Sequence, residues 1–222
     1  MWQFFKKFRI LFIVVFIISA ISIYLIQKAL TPPKHLPIYQ PAMVNPALVD
    51  SSISYIKKYH TIADFKLINQ NGDTITQANY KNKIYVANFF YTTCPSICPI
   101  MTANMADLQN MLKDDKEVFF LSHSVTPEID SVAQLKKYAL EKGVDDSRWN
   151  LVTGSKKQIY ELARKSYMAV KTVGDGGPYD MIHTENFILV DKKRRIRGYY
   201  DGTNKDDVMQ LLKDIKFLEK ES

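Results

Sequence analysis

Two cysteines separated by three residues form the pattern in this chain that is best suited to chemistry. Cys94 and Cys98 are the only cysteines, and they lie in the segment Tyr91–Pro99, YTTCPSICP. Pro99 fits the first turn of a helix, so the cysteines are predicted on the loop and turn that lead into that helix. This spacing brings both sulfurs to one side, near enough to bridge or to hold one ion. The positive end of the helix dipole lowers the pKa of a thiol at this position.

Three kinds of chemistry fit the cysteine pair. A structural disulfide is the least favoured, because a bond that closes so short a loop removes little chain entropy. A redox-active dithiol is the second, by analogy with the C-x-x-C motif, although the extra residue changes the ring that oxidation closes. A metal site is the third, since thiolates are soft ligands that suit Cu(I) and an added imidazole accommodates Cu(II).

One of the four histidines is placed to complete such a metal site. His35, in a proline-rich segment, and His60, ahead of the first strands, are predicted to be surface residues. His123 lies inside a predicted strand, where a histidine more often packs and hydrogen-bonds than binds a metal. His183 follows the glycine-rich loop 174–178, which can bring its imidazole to the cysteine turn. Loop histidines are also often merely exposed, so the residues alone leave both interpretations open.

The elements that must position these residues predict an α/β sandwich. Asp64–Thr76 alternates apolar and polar residues around Asn71-Gly72, a strong signal for a hairpin. Strands are expected at 84–91, 118–125, 149–153, 186–191 and 196–200, and helices at 99–112, 128–142, 156–169 and 205–219. Alternating strands and helices with buried central strands are typical of a mainly parallel sheet covered on both faces.

Two other patterns have ordinary structural interpretations. Met101, Met105 and Met111 could suggest thioether ligands, but their helical spacing favours core packing. The basic run Lys192–Arg195 lies between two predicted strands, which favours a solvated hairpin turn.

An apolar segment near the N-terminus is long enough to span a membrane. Ile10–Ile26 contains no charge, and we expect a transmembrane anchor over residues 10–28. The apolar core of a cleaved signal peptide is usually shorter, so cleavage is the less favoured alternative. Cations precede the segment in greater number than they follow it. This bias predicts that residues 1–9 lie in the cytoplasm and that everything after Gln27 lies outside, in the periplasm or beyond the cell membrane.

The distribution of proline and charge predicts a linker and a single domain after the anchor. Five of the nine prolines lie between Ala29 and Asp50, so residues 29–54 are expected to form an extended linker to a domain over 55–222. The formal net charge is +7, but four of the cations surround the apolar segment. Elsewhere basic and acidic residues are interleaved, and this excludes a nucleic-acid-binding protein.

The cysteine motif and the later segment His183–Asp191, HTENFILVD, together resemble the SCO/SenC family of membrane-anchored copper-binding proteins. The resemblance extends from about residue 63 to residue 217 and includes the anchor and linker. It implies a thioredoxin-like domain that binds one copper ion, Cu(I) or Cu(II), through Cys94, Cys98 and His183. Ser96 and Thr126 depart from the family pattern, since many members have acidic residues at both positions.

The resemblance also implies a role and a partner. Members deliver copper to the dinuclear copper centre of cytochrome c oxidase, carried by its copper-bearing subunit, or keep the cysteines of that centre reduced. The leading hypothesis is a metallochaperone rather than an enzyme, held by a single helix in the bacterial inner membrane with its domain in the periplasm. The alternative is a membrane-anchored thiol-disulfide oxidoreductase in which Cys94 and Cys98 carry electrons.

Overall fold

The computed structural model describes residues 8–30, 35–170, 177, 180–182 and 184–221, with the side chains of 27–30 left out. The chain divides into two compact units, Met1–His35 and Leu36–Ser222. The first contains helix α1, Arg9–Leu30. Its stretch Arg9–Ile26 has a mean hydropathy of 2.6 and no buried residue, so by length and composition the helix can cross a membrane.

The second unit is a seven-stranded sheet with helices on both faces. Its strands are β1 (Lys66–Asn69), β2 (Thr74–Thr76), β3 (Ile84–Phe90), β4 (Val118–Ser124), β5 (Trp149–Thr153), β6 (Asn186–Val190) and β7 (Ile196–Asp201). Its α-helices are α2 (Ile97–Met111), α3 (Val132–Lys142), α4 (Lys156–Glu161) and α5 (Lys205–Glu221). Short 3-10 helices occupy Pro41–Met43, Pro46–Leu48 and Gln77–Tyr80.

The strand order is β2-β1-β5-β4-β3-β6-β7. The central strands β3, β4 and β5 run parallel, and the remaining pairs are antiparallel. Every residue of β3 is buried, as expected for a strand covered on both faces. The mixed sheet, the N-terminal hairpin and the terminal β6–β7 hairpin followed by a helix confirm the predicted thioredoxin-like α/β fold.

The two faces of the sheet carry separate cores. Along β3, Val86 and Phe90 pack with helices α2, α3 and α5, whereas Tyr85 and Phe89 pack on the opposite face. Both cysteines belong to the core on the α2 side. The predicted core role of Met101 and Met105 is confirmed, since both are fully buried there, but Met111 is half exposed.

Helix boundaries differ from the sequence predictions where side chains cap a helix. The helix expected from residue 128 begins at Val132, because the Ser131 hydroxyl accepts a hydrogen bond from the Gln134 backbone N–H at 3.3 Å. The helix expected over 156–169 becomes a turn of π-helix at Leu162–Ser166. Pro99 lies in the first turn of α2, as predicted.

The folded unit begins much earlier than residue 55. The backbone N–H of Tyr39 donates to Ile196 O at 2.9 Å, and Arg197 donates to the carbonyls of Leu36 at 2.9 Å and Pro37 at 3.1 Å. The extended linker expected over 29–54 is therefore wrong from residue 36 onward. The prolines that suggested it begin the two 3-10 helices at 41 and 46, where a fixed φ suits the first helical position.

Arg197 is expected to fasten this N-terminal segment to the sheet. Its side chain is 4% exposed and also bonds to Asp191 and Glu221. Arg197→Ala should lower the free energy of unfolding by about 3 kcal/mol, because it removes a buried guanidinium that donates to the carbonyls of Leu36 and Pro37 and pairs with Asp191. Urea unfolding of the full chain in neutral detergent, followed by the fluorescence of Trp149, measures this change.

Arg195→Ala is the matched control, because Arg195 binds the same Asp191 carboxylate from a side chain that is 29% exposed. We expect Arg195→Ala to lower the free energy of unfolding by less than about 1 kcal/mol. Equal losses in the two variants would contradict the fastening role of Arg197.

Candidate metal centre

The cysteine turn lies at the carboxyl edge of the parallel strands. β3 ends at Phe90, and α2 begins at Ile97. Between them the Cys94 backbone N–H donates to Tyr91 O at 3.3 Å, which closes the turn. Both cysteines are free thiols and are buried. The predicted position is confirmed for Cys94, which lies on the loop, whereas Cys98 is already the second residue of α2 because the helix begins two residues earlier than expected.

Cys94 is held in an environment that favours its thiolate. Burial alone would raise its pKa, but hydrogen bonds from the backbone N–H groups of Cys98 and Ser96 lower the pKa to about 6, with further help from both side chains. The Ser96 hydroxyl lies 3.7 Å from the Cys94 sulfur. A hydrogen bond between Tyr91 and Cys94 raises the pKa of the Tyr91 hydroxyl. The turn is therefore built to stabilise negative charge on one sulfur.

Cys98 has the opposite character. Burial raises the pKa of its thiol to about 12, although a backbone hydrogen bond from Tyr91 acts in the other direction. The neighbouring Cys94 and the carboxylate of Asp130 add to the rise. Without a bound cation, the pair thus carries one negative charge near neutral pH rather than two.

Asp130 is a residue beside the cysteine turn that sequence reasoning missed. Its carboxylate is fully buried and accepts hydrogen bonds from Thr92 N at 3.2 Å and Thr92 Oγ1 at 2.5 Å. It also accepts bonds from Ser124 Oγ at 2.6 Å and Thr126 Oγ1 at 3.1 Å. Because β4 runs parallel to β3, a carboxylate just after β4 reaches the loop just after β3. The position of Asp130 shortly after the predicted strand 118–125 was the only feature of the sequence that indicated this contact.

One of the two departures from the family pattern is explained by this carboxylate. Thr126 donates its hydroxyl to Asp130, whereas an acidic residue at position 126 would place a second carboxylate against it. The threonine therefore leaves one buried negative charge near Cys98 instead of two.

The predicted third ligand, His183, lies outside the described residues. Its neighbours in the sequence, Ile182 and Thr184, line a cavity of about 10 Å³ together with Tyr91, Ile97 and Cys98 of the cysteine turn and residues at the ends of β3 and β4. This volume holds roughly one water molecule. The described residues next to the histidine motif thus meet the cysteine motif. Among the residues that the structure describes, no cluster of three or more His, Cys, Asp or Glu side chains could hold a metal.

The contacts of His123 and His60 are with residues outside the cysteine turn. His123 is fully buried, stacks on Phe89 at 4.8 Å in the core on the opposite face of the sheet, and has Nδ1 3.3 Å from Asn88 O. Burial lowers its pKa to about 4, and its predicted packing role is confirmed. His35 is exposed, as expected. His60 is only half-buried at the surface, where Nε2 lies 2.8 Å from Ser166 O.

The two thiols should differ sharply in reactivity. In the reduced, metal-free full chain, alkylation of Cys94 by iodoacetamide should rise with pH, reach half its maximum near pH 6 and level off above it. Cys98 should stay nearly unreactive to pH 9, because its thiol remains protonated. Peptide mass spectrometry after short pulses measures both rates. Ser96→Ala should move the Cys94 profile to higher pH, and equal profiles for the two cysteines would contradict this asymmetry.

Asp130 should hold the cysteine loop through its four hydrogen bonds. Asp130→Asn replaces an acceptor with an amide whose N–H groups face donors, so we expect a loss of about 2 kcal/mol in the free energy of unfolding. Urea unfolding measures it, with the exposed Asp107→Asn as a control that should stay within about 0.5 kcal/mol of the wild type. An unchanged stability in Asp130→Asn would show that the carboxylate does not organise the loop.

Three solved structures resemble this fold and its sequence. A SCO1/SenC family lipoprotein from Bacillus anthracis is 33% identical with a TM-score of 0.64, over 72% of this chain and 95% of that one. BsSco, a member of the Sco family of cytochrome c oxidase assembly proteins studied for a disulfide switch, is 32% identical with a TM-score of 0.63, over 72% and 94%. ScoI from Bradyrhizobium japonicum, solved with copper bound, is 25% identical with a TM-score of 0.55, over 70% and 99%.

The family model described as SCO1/SenC matches residues 54–218, which include the cysteine turn, Asp130 and the segment around position 183. The fold, the two free thiols beside a helix start and this match lead to one conclusion. The chain belongs to the SCO1/SenC family.

Proposed function

We propose that this chain binds one copper ion as cargo through Cys94, Cys98 and His183. In this proposal it delivers the ion to the copper-bearing subunit of cytochrome c oxidase, for assembly of the dinuclear copper centre. The observation that carries the proposal is the small cavity in which Ile182 and Thr184, the neighbours of His183, meet Cys98. It brings the two sequence motifs to one place.

The donor set suits copper. Two thiols and one imidazole are soft and borderline ligands, which favour Cu(I) and also accommodate Cu(II). Both thiols are buried and unbridged, so they can turn toward one ion without first breaking a covalent bond. The copper bound in ScoI from Bradyrhizobium japonicum supports copper as the cargo. The membership of BsSco in a family of cytochrome c oxidase assembly proteins supports oxidase assembly as the process.

The proposal also includes a location. The apolar helix α1 supports a membrane-anchored protein. By the distribution of positive charge, we place residues 1–9 in the cytoplasm, the helix in the bacterial inner membrane and the folded unit in the periplasm. The copper-bearing domain of an oxidase on that side of the membrane would then be accessible to the cysteine turn.

A second candidate function uses the same two thiols. As a thiol-disulfide oxidoreductase, the chain would pass two electrons and two protons from Cys94 and Cys98 to a disulfide of the partner. The partner would gain two thiols, and this chain would gain one disulfide. The disulfide switch studied in BsSco favours this candidate, as does the difference in pKa between the two thiols.

Copper stoichiometry should test the first proposal. The full chain in neutral detergent, reduced and loaded anaerobically with Cu(I), should retain one copper against a mild chelator. Cys94→Ser, Cys98→Ser and His183→Ala should each weaken retention by about ten-fold or more, since each removes a ligand. His35→Ala is the matched histidine control and should retain copper like the wild type.

The same variants separate the two candidate functions. If no form retains copper while the wild type and His183→Ala both reduce a disulfide substrate, the metal proposal fails and the oxidoreductase is supported. If His183→Ala retains copper as the wild type does, a three-ligand site is contradicted.

A further inference from the structure

The basic run 192–195 forms a rigid turn between β6 and β7. Asp191 fixes its shape, because its Oδ1 accepts hydrogen bonds from the backbone N–H groups of Lys193 and Arg195, both at 2.9 Å. The Arg194 backbone N–H donates to Asp191 O at 2.9 Å. The backbone from which these cations project is therefore fixed by hydrogen bonds.

This turn forms one wall of a cavity with a volume of about 380 Å³, which we call the basic cavity. It is lined by Asp64, Gln77, Ala78, Lys81, Lys192, Lys193 and Arg194. Four of these side chains are cations and one is a carboxylate. A cavity of this size and charge suits an anionic group rather than an apolar one.

The cations of the basic cavity are only partly neutralised. Arg194 pairs with Asp64 at 2.5 Å, and Lys192 pairs with Glu117 at 2.7 Å. Lys81 and Lys193 are exposed and form no ion pair within the described part of the chain. These two ammonium groups are available to an anion that enters from solvent.

A buried amide at the cavity wall adds a second kind of donor. Gln77 is 5% exposed and lies near the Tyr85 hydroxyl. Neither polar atom of its side chain makes a hydrogen bond of normal geometry to any described residue. The Tyr85 hydroxyl is thus the polar neighbour of this amide, and a phosphate oxygen in the cavity would accept a better bond from its N–H group.

The basic cavity lies beside the point where the chain enters the folded unit. Arg197 joins the carbonyls of Leu36 and Pro37 to the carboxylate of Asp191, the residue that begins the basic turn. Only five residues separate Leu36 from the end of α1, and a fully extended segment of that length reaches about 20 Å. The segment that joins α1 to the residues held by Arg197 is therefore short.

We propose that the basic cavity binds the phosphate of anionic phospholipid headgroups in the membrane that holds α1. Clusters of Lys and Arg next to a membrane segment are attracted to anionic lipids over about one Debye length. The register Tyr85–Val190 places the basic turn at the amino end of β3, whereas the cysteines follow its carboxyl end. Headgroup binding would thus direct the cysteine turn away from the lipid. This proposal does not depend on copper.

Lysine labelling in nanodiscs tests this proposal on the full chain. The discs contain phosphatidylcholine alone or with about 30% phosphatidylglycerol, and short pulses of an acetylating reagent are followed by mass spectrometry. We expect Lys81 and Lys193 to react at least about three-fold more slowly in the anionic discs. Lys137, on α3 with a side chain 72% exposed, should react equally in both.

Two double variants with the same change in charge make the test specific. Lys192→Gln with Lys193→Gln should abolish the protection of Lys81 in anionic discs. Lys137→Gln with Lys157→Gln, both exposed and outside the cavity lining, should preserve it. An equal loss of Lys81 protection in the two double variants would overturn the proposal and indicate a general effect of net charge.

Labelling of Lys81 without a lipid effect, or with an effect of free phosphate alone, would also contradict the proposal. Equal labelling of Lys81 in neutral and anionic discs would overturn the proposal. Inorganic phosphate is added to the neutral discs in a separate arm. Protection by phosphate alone, without any added effect of phosphatidylglycerol, would overturn the lipid as the ligand and indicate a site for free phosphate.

Discussion

Seven consecutive residue pairs join β3 to β4 in parallel, from Ile84–Val118 to Phe90–Ser124. This pairing brings the ends of both strands to one edge of the sheet, and the chemistry of the molecule is assembled there. Thr92 begins the cysteine turn after β3, and Asp130 follows β4, so the carboxylate can accept two hydrogen bonds from Thr92. A shift of β4 by one residue against β3 would separate them and turn the side chains of β4 to the opposite faces of the sheet.

The same sheet keeps chemistry and attachment apart. The cysteines pack in the core beside α2, at the carboxyl end of β3. The N-terminal segment is fastened at the other end, where Leu36 and Pro37 meet Arg197 near the basic turn. The two proposals accordingly use opposite ends of β3, the cysteine turn for the partner protein and the basic turn for anionic lipid.

Much of the fold could be predicted from local patterns. The hairpin at Asn71-Gly72, the buried run of β3 and the cysteine turn ahead of Pro99 follow from turn chemistry, hydrophobic runs and the constraints on proline. The resemblance in sequence also predicted the thioredoxin-like fold and the family. Of the candidate site, Cys94 and Cys98 could be located from their spacing, while the role of His183 stays a prediction.

The features that local patterns could not predict depend on contacts between distant residues. Asp130 lies 38 residues from Thr92, and no local pattern shows that the two meet. The prolines after Ala29 suggested a spacer. Amino-acid composition does not show that Arg197, 161 residues further along the chain, donates hydrogen bonds to that segment. Ser131 and the π-helical turn likewise set helix ends by hydrogen bonds that periodicity does not detect.

Arg197 also determines how mechanical force would pass through the folded unit. It binds Leu36 and Pro37 near the start of the unit and Glu221 near the end of α5, so both termini are fastened to β7. A pull transmitted from the N-terminal helix would act first on these bonds at the edge of the sheet. The cysteine turn lies outside that path, so thermal motion of the anchor can be absorbed without distorting the geometry of the two sulfurs.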